Sequence, residues 1–195
     1  MTIAQEFQQQ AAKDGLKAWI GIPNFSFDTP NPGEIGAHIQ DAMTYIGYAG
    51  FTGDNWFLAA HSLGGVMTQQ WLNGTSTKPS PSSFKGQVLM SSVLLRGTRA
   101  IQADGSTKFD YATPTLTIGG TKDGLMRLTR ISESYYHQVE NIHSTQAGKF
   151  PVTVLEGVSH AQFGSGTPPS FVQKNDLRAD VTEDDAHTMI GQAMA

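Results

Sequence analysis

Short apolar segments alternate with longer amphipathic ones along this chain, and the alternation predicts strands and helices in turn. Runs of apolar or β-branched residues predict strands over residues 17–23, 56–60, 87–95, 115–118 and 152–155. Helical spacing of apolar positions predicts helices over residues 3–13, 34–49, 65–72, 125–141 and 183–194. Because strands that alternate with helices form parallel βαβ units, we expect an α/β fold with a doubly wound, mostly parallel sheet of about five strands and flanking helices. The 195 residues fit a single domain, 1–195.

The second predicted strand runs directly into a tight turn that carries a serine. The turn reads Ala60-His-Ser62-Leu-Gly64, and a helix-compatible segment starts at Gly65. A strand, a small-x-Ser-x-Gly turn and a helix make up a nucleophile elbow, in which the serine backbone is strained and its neighbours must be small. Taken alone the motif is a modest signal, because a serine at a helix N-terminus commonly serves as a cap.

Asp123 lies in a glycine-rich loop after the fourth predicted strand. A carboxylate just beyond the end of a strand projects onto the rim where open α/β sheets carry their sites. Taken alone, Asp123 reads as part of a turn or as the cap of the helix that follows. Its place in a serine, acid, histidine order along the chain favours a catalytic acid instead. Glu156, still within or at the end of a strand, is the second candidate, and Asp110 precedes its strand on the wrong edge of the sheet.

His160 follows the last predicted strand in a short loop, where it has few reasons to pack in the core. His61 adjoins the serine on a sharp turn, so we expect it to line the wall of the substrate pocket rather than to act as the base. The remaining histidines fall on predicted helices or their ends, where a solvated or packed imidazole is the default: His38, His137, His143 and His187.

These residue types suit one chemistry. A serine hydroxyl is a poor nucleophile until a neutral imidazole accepts its proton. A carboxylate then fixes the tautomer of the imidazole and stabilises the imidazolium that forms. The sequence therefore predicts a catalytic triad of Ser62, Asp123 and His160.

On these motifs the chain resembles the α/β-hydrolase superfamily over nearly its whole length, and within it the lidless lipase/esterase branch that includes cutinase-like and chlorophyllase-like enzymes. The resemblance implies that the backbone N–H of Leu63 belongs to the oxyanion hole. Ala60 stands where the family usually has the first glycine of the elbow. We expect the N-terminal strands of the family, with the loop that gives the second oxyanion donor, to be missing, and activity to be weak as a result.

Composition narrows the class of partner. A net charge of -4, with only 15% charged residues and no Lys/Arg cluster, argues against a nucleic-acid surface. No apolar run approaches the ~20 residues that span a bilayer. With no cysteine, disulfides and thiolate zinc sites are excluded, and no H-E-x-x-H or comparable spacing indicates a metal. We expect neither a metal nor a cofactor.

The leading hypothesis is a serine hydrolase that cleaves a small-molecule or lipid carboxylic ester through an acyl-enzyme. Acyl transfer or amide hydrolysis would use the same triad, because the pocket chooses the acceptor. A catalytically weak or inactive binding protein of the same fold is the alternative from another class. An unpaired sheet edge would allow the chain to associate with itself.

Overall fold

The computed structural model describes residues 1–23, 31–73, 84–95, 99–101, 107–109, 113–140 and 144–195. Its strands are β1 (Trp56–His61), β2 (Phe84–Met90), β3 (Arg99–Ile101), β4 (Thr107–Phe109), β5 (Thr115–Lys122) and β6 (Val152–Ser159). Four of them form one sheet in the order β1-β2-β5-β6, and all of its pairs are parallel. The short strands β3 and β4 pair antiparallel with each other.

The helices are α1 (Ile3–Lys13), α2 (Pro32–Tyr48), α3 (Leu63–Asn73), α4 (Leu128–Glu140), α5 (Ser170–Asn175) and α6 (Glu183–Met194). Short 3₁₀ helices cover Ser144–Lys149 and Ala161–Phe163. Among the described residues, no helix is both long and apolar enough to cross a bilayer.

Local sequence explains where the helices begin. The side chain of Thr2 accepts the N–H of Gln5, and the Gln5 side chain accepts the N–H of Thr2, which completes a capping box at the start of α1. Asn31 caps α2 ahead of a proline in the first turn. Thr182 caps α6, whose first turn holds three acidic residues that favour the positive end of the helix dipole. The predicted bounds of α1 and α6 are confirmed.

Helices cover both faces of the sheet, which confirms the doubly wound architecture. Leu89 of β2 belongs to a buried cluster with residues of α2 and α3. Its neighbour Val88 points to the opposite face and packs on the cluster that contains Ile190 of α6. A side chain at Gly119 of β5 would meet Ile131 of α4, which places α4 on the same face as α2 and α3. Ser62, Asp123 and His160 each follow a strand of this sheet (β1, β5 and β6), so they lie at its carboxyl edge. The sheet itself has a buried cluster on each face.

The strand predicted over residues 17–23 is wrong. The segment has no regular secondary structure and pairs with no strand in the described part of the chain. It packs instead on helices: Gln8 of α1 donates to the carbonyl of Ala18 at 3.0 Å, and Gly21 lies against Ile46 of α2. A run of apolar residues favours a β-strand, but a strand also needs a second segment with which its backbone can form hydrogen bonds. The described sheet therefore has β1 at one edge, where Phe57 is 66% exposed.

Other boundaries moved by a few residues. The strand predicted over residues 87–95 runs instead from Phe84 to Met90, because the chain turns at Ser91, whose φ is +48°. Helix α4 begins at Leu128 rather than at residue 125. Residues 165–180, for which the sequence predicts no helix or strand, contain helix α5. Residues 24–32 and 75–83, which also lie between the predicted helices and strands, are largely outside the described residues.

The contact between α2 and α3 gives a stability test. We expect Gly36→Ala to lower the free energy of unfolding by about 1–3 kcal/mol, because the added carbon would lie 2.1 Å from Nε1 of the buried Trp71. Gly47→Ala in the same helix is the matched control. Its added carbon meets no atom within 4 Å, so it should stabilise by up to about 1 kcal/mol through helix propensity. Urea unfolding measures both variants, and effects of the same sign would contradict this packing.

Candidate active site

Ser62 occupies a strained turn between β1 and α3. Its φ is +52°, in the left-handed region that a non-glycine residue rarely adopts. The turn is held on both sides: the N–H of Ser62 donates to the carbonyl of Met90 at 3.0 Å, and the N–H of Gly65 donates to the carbonyl of Ser62 at 3.0 Å. The half-buried Ser62 side chain thus projects from the carboxyl end of β1, as the elbow motif predicts.

In this turn, Gly65 is the position that most clearly requires a residue without a side chain. A Cβ at this position would lie 2.4 Å from Ser92 Oγ, so α3 can approach the segment after β2 only through a glycine. At Gly64 the nearest atom to an added Cβ is the Cβ of Ala60, at an ordinary 3.9 Å. Alanine at position 60 is therefore compatible with the turn.

The three predicted triad residues meet. His160 Nε2 lies 2.9 Å from Ser62 Oγ, and His160 Nδ1 lies 3.1 Å from each carboxylate oxygen of Asp123. An ionised carboxylate only accepts hydrogen bonds, so it assigns the imidazole proton to Nδ1. The lone pair of Nε2 is then free to accept the hydroxyl proton of Ser62, which is the arrangement that activates a serine.

Asp123 is buried, 3% exposed, and its carboxylate is well supplied with donors. Oδ1 accepts the N–H groups of Leu125 and Met126 at 2.9 and 2.6 Å, and Oδ2 accepts the hydroxyl of Ser91. Burial alone would raise the pKa of Asp123, but the hydrogen bonds from His160 and Ser91 outweigh it and hold that pKa below its ordinary value. Asp123 therefore does both things that its sequence allowed: it caps a turn and it faces the histidine.

Ser91 is a member of the site that sequence reasoning missed. It follows β2 directly, its Oγ lies 2.5 Å from His160 Nδ1, and its side chain is fully buried. The hydroxyl of buried Ser91 thus contacts both Asp123 and Nδ1 of His160. Ser62, which is half-exposed, contacts the other ring nitrogen, Nε2. The available signal was its place after a strand, which the overlong prediction for this strand concealed.

His61 lies against His160 of the predicted triad. Its ring centroid is 4.7 Å from that of His160 and 6.0 Å from that of Phe163. Its Nε2 is buried and has no hydrogen-bond partner among the described residues. Burial, together with the neighbouring His160, lowers the pKa of His61 to about 4. A neutral imidazole ring is thus kept beside His160.

The other candidates lie elsewhere. Glu156 is exposed on β6, where it accepts a hydrogen bond from Thr121, so it does not approach the triad. His38 lies on α2 and His187 on α6, while Asp110 and His143 lie outside the described residues. No group of three or more potential metal ligands occurs in the described part of the chain.

Leu63 begins α3, so its N–H is one of the first four of the helix, which have no acceptor within the helix. Its side chain is 49% exposed beside Ser62. The positive end of the α3 dipole and an apolar side chain thus flank the serine.

Comparison with solved structures identifies the fold. The chain is similar to a predicted CIB-like hydrolase from Thermoplasma acidophilum, with a TM-score of 0.51 and 13% identity, over 97% of this chain and 79% of that one. It is also similar to an alpha-beta serine hydrolase homologue from Coxiella burnetii, with a TM-score of 0.50 and 13% identity, over 99% and 76% of the two chains. The sequence matches no protein-family model and no curated protein. At this identity the likeness establishes the α/β-hydrolase fold alone, so activity has to be argued from the site.

The buried imidazole of His61 gives a pH test. The ordinary pKa of a histidine is 6.5, and that of folded His61 is about 4. Between these two pH values, His61 binds a proton in the unfolded chain but not in the folded protein. Stability contributed by the neutral ring is therefore present above pH 6.5 and is lost as the pH falls to about 4, at most about 3 kcal/mol for a shift of this size.

We expect His61→Phe, which keeps an aromatic ring without a titrating group, to flatten this decline. Urea unfolding at a series of pH values from 7 to 4 measures it. The control His38→Gln removes a half-exposed imidazole on α2 and should keep the decline. A wild-type decline that persists undiminished in His61→Phe would contradict the assignment.

Proposed function

We propose that this protein is a serine hydrolase that cleaves a carboxylic ester through an acyl-enzyme. The observation that carries the proposal is the continuous chain of hydrogen bonds from Ser62 Oγ through His160 to Asp123, with the serine on a strained elbow. The fold is shared with known hydrolases, but the proposal rests on the geometry of these three residues and not on the fold.

In the first step Ser62 Oγ attacks the ester carbonyl while its proton passes to His160 Nε2. The carbonyl oxygen becomes an oxyanion, and His160 becomes an imidazolium paired with the ionised Asp123. Collapse of the intermediate breaks the bond to the alcohol, which leaves with the proton from Nε2. In the second step water attacks the acyl-serine, again giving its proton to Nε2, and the acid is released as Ser62 recovers its hydroxyl.

The N–H of Leu63 would donate to the oxyanion. It follows the nucleophile directly and belongs to the N-terminal turn of α3, where backbone donors and the helix dipole favour negative charge. Such a donor contributes about two to three orders of magnitude in rate.

The surroundings of Ser62 favour an apolar acyl group. The exposed side chain of Leu63 and the neutral ring of His61 would form parts of the pocket wall. The resemblance of the sequence to the lidless lipase/esterase branch would fit an open site. We therefore assign a small-molecule or lipid ester as the substrate class.

Hydrolysis of p-nitrophenyl acetate and butyrate at neutral pH tests the proposal. We expect Ser62→Ala to lower kcat/KM by about 10⁴- to 10⁶-fold, and Asp123→Asn by about 10⁴-fold because the histidine loses the partner that fixes its tautomer. The control Ser165→Ala changes an exposed serine and should behave as wild type.

Two results would contradict the proposal. Turnover that survives in Ser62→Ala would assign the chemistry to another group. Absence of wild-type turnover on both esters, in folded protein, would favour a binding protein that has kept the fold without its catalysis.

A further inference from the structure

The carboxylate of Asp176 accepts hydrogen bonds from backbone N–H groups of two different loops. Its Oδ1 accepts from Gly124 at 2.9 Å and from His160 at 3.1 Å, and its Oδ2 accepts from Ala161 at 2.8 Å. Oδ1 also accepts from the adjacent Leu177 at 3.0 Å. The carboxylate is half-buried, and within the described residues its hydrogen-bond donors are all backbone groups. One side chain thus satisfies four main-chain donors.

The donors belong to the loops that carry the triad. Gly124 follows the acid Asp123 directly, while His160 is the base itself and Ala161 is its successor. The two loops leave adjacent strands, β5 and β6, and no other side chain described in the structure is hydrogen-bonded to the backbone of both. A hydrogen bond from His160 to Asp123 depends on the relative position of these loops, because each carries one of the two partners.

Asp176 is itself held in place. It follows α5, and its N–H donates to the carbonyl of Val172 at 2.8 Å. A Cβ at Gly124 would lie 2.2 Å from the carbonyl oxygen of Asn175 and 2.8 Å from the Cα of Asp176. Only a glycine lets the acid loop approach the end of α5 this closely. Gly124 therefore meets the end of α5 both by close backbone packing and through its N–H hydrogen bond to Asp176.

We infer that Asp176 is a positioning residue for the triad, one that fixes the acid loop against the base loop so that His160 stays within hydrogen-bond reach of both Asp123 and Ser62. The inference rests on the proposed function for its catalytic consequence, and on the contacts alone for its structural one. Asp176 does not touch the reacting atoms: it acts through the backbone of the residues that do. Misplacement of a catalytic group by about 1 Å can cost about 10²-fold in rate, which sets the scale of the effect.

Two variants separate the parts of this role. Asp176→Ala removes every acceptor. Asp176→Asn keeps one carbonyl oxygen for Gly124 and His160 but sets an amide donor against the N–H of Ala161, so it should fall between alanine and wild type. The control is Asp180→Asn, which removes a carboxylate from the same segment, where the side chain is 58% exposed and pairs with Lys122 at 2.9 Å.

The experiment measures kcat and KM for p-nitrophenyl butyrate per active site titrated with a fluorophosphonate, with thermal unfolding in parallel. We expect Asp176→Ala to lower kcat by about 10- to 100-fold while KM changes less than about 3-fold, because orientation and not binding is lost. A merely structural role would lower the melting temperature and leave kcat per titrated site unchanged. That result, with Asp176→Ala equal to Asp180→Asn, overturns the inference. If the alanine variant does not fold, Asp176→Asn decides by the same criterion.

A readout that needs no turnover separates this inference from the proposed function. The His160 Nδ1–H proton, bound to Asp123, can be followed by proton NMR in wild type and variants, with Asp123→Asn to assign it. If wild type hydrolyses no ester, but this resonance is lost or shifted in Asp176→Ala and kept in Asp180→Asn, the positioning role stands and the proposed function fails. A resonance that is the same in wild type, Asp176→Ala and Asp176→Asn overturns the positioning role.

Discussion

The register of the parallel strands determines which side chains meet at the rim of the sheet. In the pairing of β1 with β2, His61 lies opposite Met90, so the residues that follow, Ser62 and Ser91, leave the sheet side by side. In the pairing of β5 with β6, Lys122 lies opposite Ser159, and the residues that follow are Asp123 and His160. The site is thus assembled from the first residues beyond two strand pairs. A slip of one residue in either pairing would turn every side chain to the other face and disperse the site.

Close backbone approaches hold that register where the ladder is irregular. The β5–β6 pairing shifts between Gly120 and Lys122, and a Cβ at Gly120 would lie 2.1 Å from the carbonyl oxygen of Val158. The glycine therefore lets the two strands close on each other just before the acid and the histidine. Gly65 does the same for the elbow helix at Ser92. Strain at Ser62 and Ser91, both with positive φ, is concentrated beside these contacts.

Much of this site could be predicted from the sequence, because its parts are local. A strand that ends in a serine turn, an acid after one strand and a histidine after another are each visible within about ten residues. The strand predicted over residues 17–23 failed because pairing is a property of two segments, and the sequence of one segment does not reveal its partner. The roles of Ser91 and Asp176 likewise depend on contacts with segments that are distant in the sequence. Ser91 acts on residues 32 and 69 positions away, and the role of Asp176 exists only once Gly124 and His160 are neighbours.

We propose that Ser62, and not the fully buried Ser91, is the activated nucleophile of this site. Reaction with a fluorophosphonate, followed by intact mass and peptide mapping, would distinguish the two serines, because the reagent needs an activated serine and reports its position. We expect a single adduct on Ser62 in wild type, the same adduct in Ser91→Ala, and none in Ser62→Ala. An adduct on Ser91, or no adduct in folded wild-type protein, would contradict the claim.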